Sequence, residues 1–170
     1  MIAVRAVDAE WVDANADALG AILLACVADG ASVSFLADLT QDRAADFWRA
    51  RRAGVADGGC ALLVAFEGEA PVGTVMVVRA GTDNQPHRGD IAKLLVHPGA
   101  RGQGAGVALM TGAEAQARAM GLTLLVLDTA GAAAERIYRR MGWIEVGGIP
   151  DYALNVAGTP EATTIFYKRV

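Results

Sequence analysis

One stretch, Asp90 to Met120, limits what this chain can fold into more than any other. It opens on Ile91-Ala92-Lys93-Leu94-Leu95-Val96, a run of branched apolar residues too short for a helix, which reads as a strand. His97-Pro98-Gly99 ends the run, because proline donates no backbone hydrogen bond and glycine accepts positive φ. Arg101-Gly102-Gln103-Gly104-Ala105-Gly106 follows and leads directly into a helical spacing, with Leu109, Met110, Ala113, Ala117 and Met120 on one face. Strand, glycine-rich turn and helix in that order leave unpaired N–H groups at the helix N-terminus, where a phosphate can approach.

Spacing separates the anion-binding loops of this kind. A dinucleotide G-x-G-x-x-G needs a glycine at Val107 or Leu109, and a Walker A loop needs Lys-Ser/Thr where the chain has Ala105-Gly106. The pattern present is Arg/Gln-x-x-Gly-x-Gly/Ala, filled by Arg101, Gly104 and Gly106. An ordinary strand–turn–helix connection is the plain alternative.

The rest of the chain reads as one domain over residues 1–170, with no repeat or low-complexity linker. A net charge of −4 and the absence of a basic run argue against nucleic acid as a partner. No stretch of about 18 uncharged apolar residues spans a membrane, and the acidic N-terminus does not resemble a signal peptide, so a cytoplasmic enzyme is expected. Cys26 and Cys60 sit in apolar contexts and read as buried. His87 and His97 have no partner at ligand spacing, so no metal is expected, and His97 reads as a turn residue.

In chain order, Met1–Val7 reads as an edge strand and residues 8–29 as a helix. A second helix should begin behind an N-cap at Thr40 and run to about Val55. Cys60–Phe66 and Pro71–Arg79 form a hairpin, and the central strand begins near His87. The long central helix is followed by a strand over Leu122–Leu127, a helix over Ala132–Met141 and a strand over Trp143–Val146. A loop from Gly147 to Pro160 and a final strand over Ala162–Lys168 complete the chain. This order gives an α/β fold with a mixed sheet of about seven strands and about four helices.

The Arg101–Gly106 loop, with Tyr138-Arg139-Arg140-Met141-Gly142-Trp143 downstream, resembles the GNAT N-acetyltransferases, whose second motif is Tyr-x-x-x-Gly-Phe. The resemblance covers nearly the whole chain. His87-Arg88-Gly89-Asp90, Lys93-Leu94, Leu127-Asp128-Thr129 and the ending Ile149-Pro150-Asp151-Tyr152…Tyr167-Lys168 look like the subgroup containing the tabtoxin-resistance acetyltransferase. It implies a mostly antiparallel sheet and acetyl-CoA as co-substrate. The partner it implies is a small-molecule amine, such as an amino-acid-like toxin or antibiotic, with a homodimer left open. A protein or peptide N-acetyltransferase and a catalytically silent acyl-CoA-binding module are the alternatives.

Acyl transfer to an amine needs an acceptor for the ammonium proton and favours a proton donor for the departing thiolate. The resemblance puts catalytic carboxylates at Asp90 and Asp128, with Asp90 narrowly preferred as base, and the proton donor at Tyr138. Each has a plain alternative: a salt bridge to Arg88 for Asp90, an N-cap for Asp128 and a core position for Tyr138. Cofactor contacts are expected from Leu94, Leu95 and Val96, from Arg101, Gly102, Gln103, Gly104, Ala105 and Gly106, and from Thr129 and Ala134. Val33, Phe35, Trp48 and Tyr152 are expected around the acceptor. Many relatives carry an asparagine upstream of the tyrosine where this chain has Gly131.

Overall fold

The structure is a computed structural model that describes all 170 residues. Seven strands form one sheet in the order β1-β2-β3-β4-β5-β7-β6. They are β1 (Ile2–Val7), β2 (Cys60–Glu67), β3 (Ala70–Arg79), β4 (Arg88–Val96), β5 (Leu124–Thr129), β6 (Ile144–Leu154) and β7 (Pro160–Arg169). Only β4 and β5 run parallel; every other neighbouring pair is antiparallel.

Six α-helices cover the two faces: α1 (Ala9–Ala14), α2 (Ala16–Ala28), α3 (Gln41–Arg49), α4 (Arg52–Ala56), α5 (Ala105–Ala119) and α6 (Ala132–Arg140). The excess over four arises because two continuous spacings break. Asn15 closes α1 by donating its side-chain amide to the Trp11 carbonyl, and α4 restarts at Arg52 after α3 stops. Thr40 caps α3 as its hydroxyl accepts the Arg43 N–H.

Alternation along β2 sends Leu62, Val64 and Phe66 to one core and Leu63 and Ala65 to the other. The first core lies under α1–α3, the second under α5 and α6. Burial on both faces explains why these strands read as near-continuous apolar runs.

Two strand boundaries depart from the sequence reading. The β5 strand starts at Leu124 because Leu122 is used to close α5. Gly121, at φ +76, donates to the Arg118 carbonyl while the Leu122 N–H reaches Ala117, the Schellman pattern. The expected loop after Val146 is strand as far as Leu154. Register shifts between Glu145 and Gly147, and between Ile149 and Ala153, hide the alternation, and the edge position tolerates Pro150.

The cleft originates where the sheet splits. Pairing of β4 with β5 covers only Arg88–Asp90 against Leu124–Val126. Beyond it β4 stays paired to β3 as far as Val96, and β5 to β7 as far as Thr129. The edge of β4 from Ile91 onward therefore faces an opening.

Candidate active site

Two adjoining hollows occupy that opening. The outer one, about 630 Å³, runs between the C-terminal end of α2, the N-terminal end of α5 and one side of α6. Leu94, Leu95, Val96, Arg101, Gly102, Gly104, Ala105, Gly106 and Ala134 line it; Gln103 does not. The inner one, about 230 Å³, contains Val33, Lys93, Asp128, Thr129 and Tyr138, and shares Ala31, Leu94, Gly131 and Ala134 with the groove.

The turn before α5 is shaped for an anion. Gly102 and Gly104 adopt φ +78 and +83, and a Cβ at either would meet nothing within 4 Å. Gly104 sits at the helix N-cap with no side-chain cap, so the first N–H groups of a 15-residue helix stay open toward the groove. Arg101 is turned aside: its guanidinium pairs with Asp29 and also donates to the Val96 carbonyl at 3.3 Å. Cys26, buried behind the groove, donates its thiol to that same carbonyl at 3.4 Å, and burial raises its pKa.

The three residues expected to carry chemistry are not all together. Asp128 and Tyr138 share the inner cavity. Asp128 does not cap the following helix, whose N-cap is Gly131; it accepts the Thr163 hydroxyl at 3.1 Å. Tyr138 is only 4% exposed, with its ring against Trp143 and Phe166. Burial first, and the charge of Asp128 second, push its phenol well above the ordinary range. Asp90 stands outside the cavity, held by Arg88 at 2.7 Å, with Gln85 fixing Arg88 from behind.

Thr129 accepts the Gly131 N–H at 3.2 Å and so shapes the turn between β5 and α6. Of the acceptor-side residues, Tyr152 lines a neighbouring hollow of about 280 Å³ that shares Ser32, Ser34 and Asp128 with the inner cavity. Phe35 packs edge-on against Phe47, one layer back. Trp48 is core, 0% exposed, with its indole N–H unpartnered. His97 is a turn residue, its imidazole accepting the Gly99 N–H. Lys93 and Thr163 carry no site role in the sequence; a lone lysine inside an apolar strand is the one signal for the first.

Residues 27–143 match the model of the acetyltransferase (GNAT) family. Among solved structures, a GNAT superfamily phosphinothricin acetyltransferase from Sinorhizobium meliloti in complex with acetyl-CoA is 18% identical, with 99% of this chain and 88% of that one covered and a TM-score of 0.81. A ribosomal-protein-alanine N-acetyltransferase from Brucella melitensis is 20% identical, with 99% of each chain covered and a TM-score of 0.77. An N-acetyltransferase from Staphylococcus aureus Mu50 is 13% identical, with 99% and 98% covered and a TM-score of 0.78. At such identities the likeness carries the fold, and the acceptors in these names differ in kind.

Proposed function

The chain belongs to the acetyltransferase (GNAT) family, and from that premise we propose that it transfers an acetyl group from acetyl-CoA to the primary amine of a small molecule, with amino-acid-like toxins or antibiotics as the acceptor class. The observation that carries this reading is the adjacency of the two hollows. A glycine-floored groove lies against a small cavity holding one carboxylate and one phenol, with Leu94 and Ala134 lining both. That cavity suits a compact acceptor better than a polypeptide.

The groove's residues fit the thioester. Uncapped N–H groups behind Gly104 favour a diphosphate, and the edge of β4 that β5 leaves unpaired offers main-chain partners to an amide-bearing arm at Leu94–Val96, the Val96 carbonyl being already taken by Arg101 and Cys26. Bound there, acetyl-CoA supplies the activated acyl carbon and a thiolate leaving group. Asp128 holds the acceptor's ammonium and takes its proton at a carboxylate oxygen. Tyr138 keeps its proton throughout the working pH range, because burial and Asp128 both oppose its ionisation. Proton uptake by Asp128 removes one of those opposing charges and makes the phenol a better donor at the moment a donor is needed.

The test is thiol release from acetyl-CoA across a panel of primary amines, with product mass measured. N-acetylated product from small amines at rates above those from peptides is expected. Faster acetylation of peptides would reverse the acceptor assignment.

A further inference from the structure

Lys93 has no part in the acetyl transfer described above, yet its placement on β4 is unusual. Between Ala92↔Met76 and Leu95↔Thr74 the strand carries one residue more than its partner, a bulge. Lys93 takes φ +52 there, a region that favours glycine, and the hydroxyl of fully buried Thr74 holds its carbonyl at 2.9 Å. The bulge breaks the alternation: Ala92 packs on the α1–α3 core, and the Lys93 ammonium meets Ser34 and the ring of Phe47 on that same side. The side chain is thereby aimed into the inner cavity.

An ammonium carries three N–H donors. Lys93 gives one to the Ser34 hydroxyl at 3.2 Å, lies 5.4 Å from the Phe47 ring centre, and forms no ion pair. Arg51, stacked on the other reach of that ring at 4.1 Å, adds a second positive charge nearby. Across the cavity, Asp128 likewise forms no ion pair and accepts only from Thr163. One small cavity thus brings together a half-buried cation and a solvent-exposed carboxylate, neither paired with an opposite charge of the protein. Such charges are satisfied by a ligand carrying the complementary pair.

We propose that Lys93 is the anion anchor of the acceptor cavity, and that the acceptor is a primary amine bearing a carboxylate-type oxyanion, its ammonium against Asp128 and its anion against Lys93. The proposal rests on the acetyl-transfer reading and narrows it. Lys93 acts on binding and specificity, not on the reacting atoms. Burial lowers its pKa, with Arg51 adding to the effect and Asp128 opposing it, which is the behaviour of a cation lacking a sufficient counter-charge.

The experiment has a kinetic arm and a binding arm. Thiol release is measured with glycine, β-alanine, 4-aminobutyrate and larger α-amino acids, each beside its amide, for the wild type, Lys93→Met and Lys93→Arg. Both substitutions meet the same positive φ as lysine, so folding is matched. Acids are expected to be preferred over amides in the wild type. That preference should fall roughly 10- to 100-fold in Lys93→Met and survive largely in Lys93→Arg.

In the binding arm, protein labelled with [ε-¹³C]lysine holds two labelled side chains, Lys93 and Lys168. The signal missing in Lys93→Met should move on adding N-acetyl-leucine and stay still with N-acetyl-leucinamide. Equal use of acids and amides, an equal loss for both in Lys93→Met, or a Lys93 signal indifferent to the acid would each overturn the assignment. Absence of thiol release with every amine, alongside a Lys93 signal that still answers to the acid, would instead overturn the acetyl-transfer reading and leave the anion site standing.

Discussion

The chain's two lysines define two contrasting regions. Lys168, on β7, uses all its donors within the protein: both oxygens of Glu114 lie at 2.8 Å and the Met141 carbonyl at 2.7 Å. Glu114, only 7% exposed on α5, also accepts the Trp143 indole N–H at 3.0 Å. This closed set ties α5, the turn after α6 and β7 together. Lys93 faces a cavity with one hydroxyl and a ring for company, opposite a carboxylate in the same condition. The first region buries its charge and satisfies it within the protein; in the second, half-buried Lys93 and solvent-exposed Asp128 are left without a protein counter-charge. Charges of both signs that the protein leaves unpaired in one small space mark where a ligand can pair with them, and charge paired within the protein marks where the fold itself is fastened.

The comparison breaks most sharply at Asp128. Asp128→Asn keeps shape and the acceptor capacity toward Thr163 but removes the charge. Turnover at neutral pH is expected to fall about 10²–10⁴-fold, with partial recovery at higher pH as free amine becomes abundant. The melting temperature should stay near wild type, since no ion pair is lost. Steady-state rates between neutral and alkaline pH, read beside a thermal melt, check both halves. A normal rate would leave the carboxylate a cavity wall and nothing more.

The opposite profile is expected at Glu114. Glu114→Gln leaves Lys168 without a counter-charge in a largely buried position, and breaking such a pair from one side costs about 3–5 kcal/mol. For a domain of this length the melting temperature would drop by roughly 10 °C. Calorimetry measures it; a shift of a degree or two would show that the network is wetter than its geometry implies.

Tyr138→Phe stands between the two. Only a hydroxyl is removed, and the ring contacts with Trp143 and Phe166 survive. A phenol held so far above its ordinary range acts on a departing thiolate by hydrogen bonding more than by complete proton transfer. The loss in kcat is therefore expected near the lower end of general-acid effects, about 10²-fold, with acetyl-CoA affinity unchanged by titration calorimetry. A loss under tenfold would make Tyr138 a core residue that happens to line the cavity.

How much of this was legible follows from what each feature depends on. The Arg101–Gly106 turn could be read because glycines at fixed spacing before a helix have local consequences. Asp128 and Tyr138 could be named through the family resemblance and expected near the acyl group, but the pairing that ends at Asp90 and Val126, where β5 parts from β4, is a long-range feature that only the structure shows. Lys93 was harder still. Its aim comes from a one-residue mismatch between β3 and β4, fixed by long-range pairing that no local window contains. Trp48 shows the converse: a large aromatic beside a predicted pocket reads as lining until the packing of α3 buries it. The β6 strand was missed because Gly147, Gly148 and Pro150 signal a turn, whereas an edge strand with bulges accommodates all three.

The smallest effect is expected at Asp90, and it bears on the one point where sequence alone leaned the other way. Asp90 lies two residues beyond Arg88 on β4, and the two side chains form a short, partly exposed pair. Such a pair contributes up to about 1 kcal/mol, often less. Asp90 is paired like Lys168 rather than open like Asp128, so it is expected to serve the fold. Asp90→Asn should change the melting temperature by at most a few degrees and neutral-pH turnover by no more than a few-fold, with no recovery on raising the pH. Asp128→Asn in the same assay should show the deep, pH-recoverable loss. If Asp90→Asn instead loses about 100-fold at neutral pH and regains it in alkali, proton acceptance belongs to Asp90. Arg88 would then be a partner that yields it on ligand binding, and Asp128 would be left as an anchor acting on amine KM.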